Sequence, residues 1–170
     1  MSNISMTTSK RNAIVTVMLI SAFVSMLNQT ILNTALPAII KGLNITETTA
    51  QWLITGFMLV NGIMIPLTAF LMDKYSTRHL YIFSMAIFLI GSIVAAFSPT
   101  FTILMISRII QAIGAGILLP LMQFTVFTLF PAEQRGFAMG LAGVVVQSAP
   151  AIGPTLTGLF VDLFLSLIHI

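Results

Sequence analysis

Five stretches of this 170-residue chain are apolar over roughly the 20 residues that a helix needs to cross a bilayer. They fall near residues 13–36, 52–72, 80–97, 101–128 and 137–161. Lipid offers no partner to a backbone N–H or C=O, so spans of this kind fold as helices that satisfy their own backbone. A soluble core is excluded by composition. Only 6% of residues are charged and 58% are hydrophobic, where soluble domains carry about 25% charged residues. The mean hydropathy is +1.07. The expected fold class is therefore an all-α integral membrane protein of about five transmembrane helices, joined by short links at 41–51, 73–79, 98–100 and 131–136. Residues 1–12 are expected to be a polar N-terminal tail. Residues 163–170, which carry no anchoring charge, are expected to be an atypical tail that marks a truncation.

The cations set an expected orientation. With the N-terminus in the cytoplasm, that side holds Lys10, Arg11, Lys74, Arg78 and Arg135. The opposite side holds Lys41, and Arg108 lies within a span. That distribution follows the positive-inside rule, and Trp52, Tyr75 and Tyr81 fall at span ends, where amphipathic rings favour the headgroup level. The net charge of +3 is too small to suggest a nucleic-acid partner. The chain has no Cys, which excludes disulfides, zinc thiolates and cysteine nucleophiles. Within the spans there is no paired Asp, no His-x-x-x-His spacing and no Ser near a His, so the chain is expected not to be an enzyme.

Arg108 is the costly residue. It is the one ionised side chain in the thirty residues from Phe101 to Phe130, and a fixed cation at membrane depth costs roughly 2.5 to more than 10 kcal/mol. It therefore needs a polar neighbour or a water-filled cavity, unless its head snorkels to the nearer interface. Gln111 lies one turn away and Ser107 beside it. In the first span Ser21, Ser25, Asn28, Gln29 and Asn33 recur at helical spacing and share a face. That face is either a cavity wall or a set of interhelical hydrogen bonds that holds the bundle together. In the fifth span Gly136, Gly140, Gly143, Gln147, Pro150, Pro154 and Gly158 form a stripe at three-to-four-residue spacing. The stripe predicts close packing along that face, and the two prolines suggest a bending or gating element. The charged loop DKYSTRH at 73–79 reads on its own as a solvated junction.

Four segments together resemble the major facilitator superfamily, and within it the fourteen-span drug:proton antiporters of the EmrB/QacA type, including the lincomycin-resistance-like branch. Leu27–Pro37 (LNQTILNTALP) is similar to the first-span motif, and Ala69–Tyr81 (AFLMDKYSTRHLY) to the loop motif between spans two and three. Leu104–Gly116 (LMISRIIQAIGAG) is similar to the fourth-span motif, and Ala149–Gly158 (APAIGPTLTG) to the antiporter motif of span five. There are departures. Asn28 stands where Asp is usual. Ala69, Ser76 and Thr77 replace Gly, Gly and Arg in the loop motif, and Ala149 and Thr157 replace glycines in span five. The stretch after Asp162 lacks the Trp-Arg-Trp-like run of the family.

The resemblance implies an incomplete N-terminal half of a major facilitator fold, built from inverted three-helix repeats around a midplane site. Spans one to three would be the first repeat, and spans four and five part of the second. It implies a substrate cavity formed by Asn28, Gln29, Asn33, Arg108 and Gln111, and a cytoplasmic loop motif at Asp73, Lys74 and Arg78. Pro150, Gly153, Pro154 and Gly158 would form the antiporter or gating motif. The expected function is the N-terminal part of a proton-coupled multidrug efflux transporter of a bacterial plasma membrane, with a small amphipathic or cationic drug as substrate. The bilayer and the missing C-terminal part would be its partners, and a proton gradient rather than a cofactor would drive it. An exporter of a metabolite or peptide, or a non-transporting membrane fragment, is the alternative. Arg cannot release its proton at physiological pH, so any proton carrier would be Asp162 or lie beyond residue 170.

Overall fold

The computed structural model describes residues 7–168, with side chains to residue 158. It contains five α-helices in chain order: α1 (Thr8–Leu43), α2 (Glu47–Lys74), α3 (Thr77–Ala96), α4 (Phe101–Leu129) and α5 (Ala132–Ile168). All five are long and apolar enough to cross a membrane. Among the described residues there is no strand.

Each helix runs past the span expected from hydropathy at one end at least, because apolarity marks the part in lipid while the helix continues to its cap; α3 stops at Ala96, one residue short of its expected end. Residues 8–12 of the expected tail are the first turn and a half of α1. The expected link 41–51 shrinks to three residues, because Lys41–Leu43 belong to α1 and α2 begins at Glu47. Asn44 ends α1 in the left-handed conformation, φ 50°, a region that Asn tolerates better than most side chains. Hydroxyl caps start three of the helices. Thr46, Ser76 and Thr100 accept hydrogen bonds from the backbone N–H of Thr49, His79 and Ile103, which satisfies donors that the first turn leaves free. Pro37, Pro66, Pro120, Pro150 and Pro154 all lie inside unbroken helices, a placement that membrane helices tolerate. The expected atypical tail enters α5 as far as Ile168; its side chains and residues 169–170 lie outside the described residues.

The bundle is organised around α4. Of its most apolar stretch 56% is buried, against 22–33% for the other four helices. Two neighbours seat closely on it because glycines face the contacts. Gly91 of α3 lies against Gln111 and the Ser107 carbonyl, and Gly114 of α4 against Ser84 and Phe88 of α3. Gly116 of α4 meets Asn61 and Met64 of α2, and Gly56 of α2 meets Met105. On the other side α5 lies along α1, with Gly153 against Thr30. A cluster that includes Met18, Ala22, Met64, Ile117, Leu121, Ala142 and Val146 fills the space between these layers.

Candidate functional site

Arg108 is 1% exposed and does not snorkel. Its Nη1 donates to Gln111 Oε1 at 2.8 Å and, across to α1, to Asn28 Oδ1 at 3.2 Å. The guanidinium carbon stands 4.2 Å from the centroid of the Phe57 ring on α2, where the negative ring face attracts a cation. Gln111 passes the contact on. Its Nε2 donates to Ser92 Oγ of α3 at 3.1 Å, and Ser92 donates to the Phe88 carbonyl at 2.8 Å. One buried cation thus joins α1, α2, α3 and α4.

Among the described residues, side chains bond one of the three guanidinium nitrogens of Arg108. Nε and Nη2 are buried with no hydrogen-bond partner among the described residues, and so is Asn61 Oδ1. A buried donor without an acceptor costs about 1–3 kcal/mol, and more when it is charged. A small cavity of about 40 Å³ lies beside this network, lined by Ser25, Gln29, Phe57 and Asn61 among others. Its size suits a water rather than a drug.

The other expected site residues are distributed unevenly. Asn28, Arg108 and Gln111 meet in one hydrogen-bonded unit, and Gln29 lines the small cavity. Asn33 lies further along α1 and is exposed. Ser21 faces a neighbour instead of a cavity, sharing a 2.5 Å hydrogen bond with Tyr81 Oη of α3. Asp73 and Lys74 end α2 and Arg78 opens α3, all three exposed at the helix junction, with Lys74 Nζ 4.4 Å from the Phe70 ring centroid. The α5 stripe does not face the other described helices. Gly136, Gly140, Gly143, Gln147, Pro150, Pro154 and Gly158 are all exposed, and α5 packs through the adjacent face of Ala138, Ala142, Val146, Ala149, Gly153 and Thr157. Of the four expected gating residues only Gly153 is buried.

Two members of the network, Phe57 and Ser92, and the cavity-lining Asn61 escaped sequence reasoning. Asn61 is an amide in an apolar run, the same signal that singled out Asn28. Ser92 is a short polar residue with the same, weaker signal. Phe57 is one of thirteen phenylalanines and carries no signal of its own.

Comparison with known proteins shows the family. The sequence profile of the Major Facilitator Superfamily matches residues 18–166. An uncharacterized MFS-type transporter of Bacillus subtilis is 54% identical over 154 residues, which is 91% of this chain and 33% of the relative. A lincomycin resistance protein of the same organism is 44% identical over 85% of this chain and 30% of the relative. A probable multidrug resistance protein of Escherichia coli is 34% identical over 85% of this chain and 28% of the relative. The chain spans about a third of the length of the curated relatives it matches. With five membrane-spanning helices gathered on α4, and a profile match that takes in α2, α3, α4 and most of α1 and α5, this chain belongs to the Major Facilitator Superfamily of membrane transporters.

Proposed function

We propose that the chain is the N-terminal part of a proton-coupled multidrug efflux transporter of a bacterial plasma membrane. The observation that carries this is Arg108, an intramembrane cation held by Asn28 and Gln111 between the first and fourth helices. Ionisable groups at that depth are expensive and mark substrate or ion pathways. Relatives named for lincomycin and multidrug resistance support drugs as the cargo. The protons would be carried elsewhere. Glu47, Asp73 and Glu133 are exposed at helix ends, and the position beside Arg108 where the resemblance expects an Asp is the uncharged amide of Asn28.

The test is a chimera in which this chain replaces the matching third of the 54% identical Bacillus subtilis relative, expressed in a drug-sensitive host. Resistance to lincomycin or cationic dyes is expected, with efflux abolished by a protonophore. Arg108→Ala should remove resistance while the protein still inserts in the membrane. Resistance that survives Arg108→Ala would remove Arg108 from the transport pathway. Secretion of a metabolite or peptide without drug resistance would favour the alternative cargo, for which the uncharacterized relative leaves room.

A further inference from the structure

A groove of about 560 Å³ opens between the start of α1, the start of α3 and the end of α4. Its walls are almost wholly apolar, from residues such as Ala13, Val17 and Phe124, and the polar residues among its lining are Thr77, Arg78, Tyr81, Thr125 and Thr128. One turn along α1 from the lining residues, the Ser21–Tyr81 hydrogen bond ties α1 to α3. By the charge distribution this is the cytoplasmic end of the bundle.

The cations at this end divide into two kinds. Arg11, Lys74 and Arg135 each lie over a phenylalanine, at 4.3, 4.4 and 5.9 Å from the rings of Phe130, Phe70 and Phe127. Arg135 Nε also donates to the Phe130 carbonyl at 3.0 Å. Arg78 is exposed at the groove and makes no such contact among the described residues. Lys10 is exposed and lies three and four residues before Ala13 and Ile14, on the face of α1 that lines the groove. An apolar groove alone would suit another helix equally well. Arg78 at the groove and Lys10 on the same face of α1, neither over a ring among the described residues and both at headgroup level, favour a phosphate.

We propose that this groove binds an anionic phospholipid of the cytoplasmic leaflet, with an acyl chain between α1, α3 and α4 and the phosphate against Arg78 and Lys10. Basic pockets between membrane helices recognise anionic headgroups in this way, and each cation near the surface contributes roughly a fivefold preference. The site is independent of what the protein transports.

The test is phospholipid retention by the purified, delipidated chain, read by native mass spectrometry with phosphatidylglycerol and phosphatidylcholine of the same acyl chains. One phosphatidylglycerol should be held in preference. Arg78→Glu should lower its retention about fivefold or more, and Val17→Trp, which fills the groove, should lower retention of either lipid. Arg135→Glu should leave retention unchanged, and circular dichroism should show all variants equally helical. Equal retention of the two lipids, or equal effects of Arg78→Glu and Arg135→Glu, would overturn the proposal. So would full retention by Val17→Trp, or retention that disappears in the chimera because a further helix covers the groove.

Discussion

At the scale of single residues, Arg108 shows how neighbouring side chains meet a burial cost. Hydrogen bonds to a charged partner are worth about 1.5–3 kcal/mol, and two of them converge on one nitrogen, Nη1. Gln111 has the larger share because it also donates to Ser92. Gln111→Leu is therefore expected to destabilise the folded bundle by about 3 kcal/mol, and Asn28→Leu by about 2 kcal/mol, both measured by reversible unfolding in mixed micelles. The two losses should not add, since both variants act on the same guanidinium. Additive losses would mean that the contacts are independent. Arg108, Asn28 and Gln111 were legible in the sequence because an ion or amide in an apolar run requires a partner. Which partner each has was not legible, because Phe57 and Ser92 reach the network through a fold that brings α2 and α3 against α4.

At the scale of elements, the glycines divide by what faces them. A Cβ at Gly114 would stand 2.6 Å from the Ser84 carbonyl oxygen, and at Gly91 2.8 Å from the Gln111 backbone nitrogen. Backbone cannot swing aside, so either helix pair would have to separate. Gly140 of α5 has nothing within 4 Å. Gly114→Ala and Gly91→Ala should thus lower thermal stability, by roughly 1–3 kcal/mol for an overpacked contact. Gly140→Ala should hold or raise it, by up to about 1 kcal/mol of helix propensity. A destabilising Gly140→Ala would show that the exposed stripe of α5 is packed against something. The existence of all five helices followed from hydropathy, but the packed face of α5 did not. Two stripes of small residues run along that helix with the same period, one led by glycine and proline and the other by alanine. Period alone gives no means of choosing between them. The choice falls to Gly153, whose close approach to Thr30 orients the alanine face toward α1.

At the scale of the whole molecule, the bundle consists of two groups, α2 and α3 on α4 and α5 on α1, joined where Arg108 meets Asn28 and where Ser21 meets Tyr81. Its placement across the membrane follows from charge, which the internal packing does not determine. All links between the helices are short, and short loops are where Lys and Arg govern orientation. With Lys10, Arg11, Lys74, Arg78 and Arg135 at one end and Lys41 at the other, the end that holds the α2–α3 and α4–α5 links is expected to face the cytoplasm. The absence of cysteine makes this directly measurable, since a single introduced thiol is the only one to label. A cysteine at Thr48, exposed in the first turn of α2, should react in intact cells with a maleimide that does not cross membranes. A cysteine at Gln134, exposed in the first turn of α5, should react only after the cells are opened. The reverse labelling would invert the bundle and move the Arg78 groove to the outer leaflet. Labelling of both sites in intact cells would mean that the cation imbalance does not fix a single orientation. Replacing Lys74 and Arg78 together by Gln reduces the imbalance to three against one and should raise the inverted fraction, which the same two thiols would report.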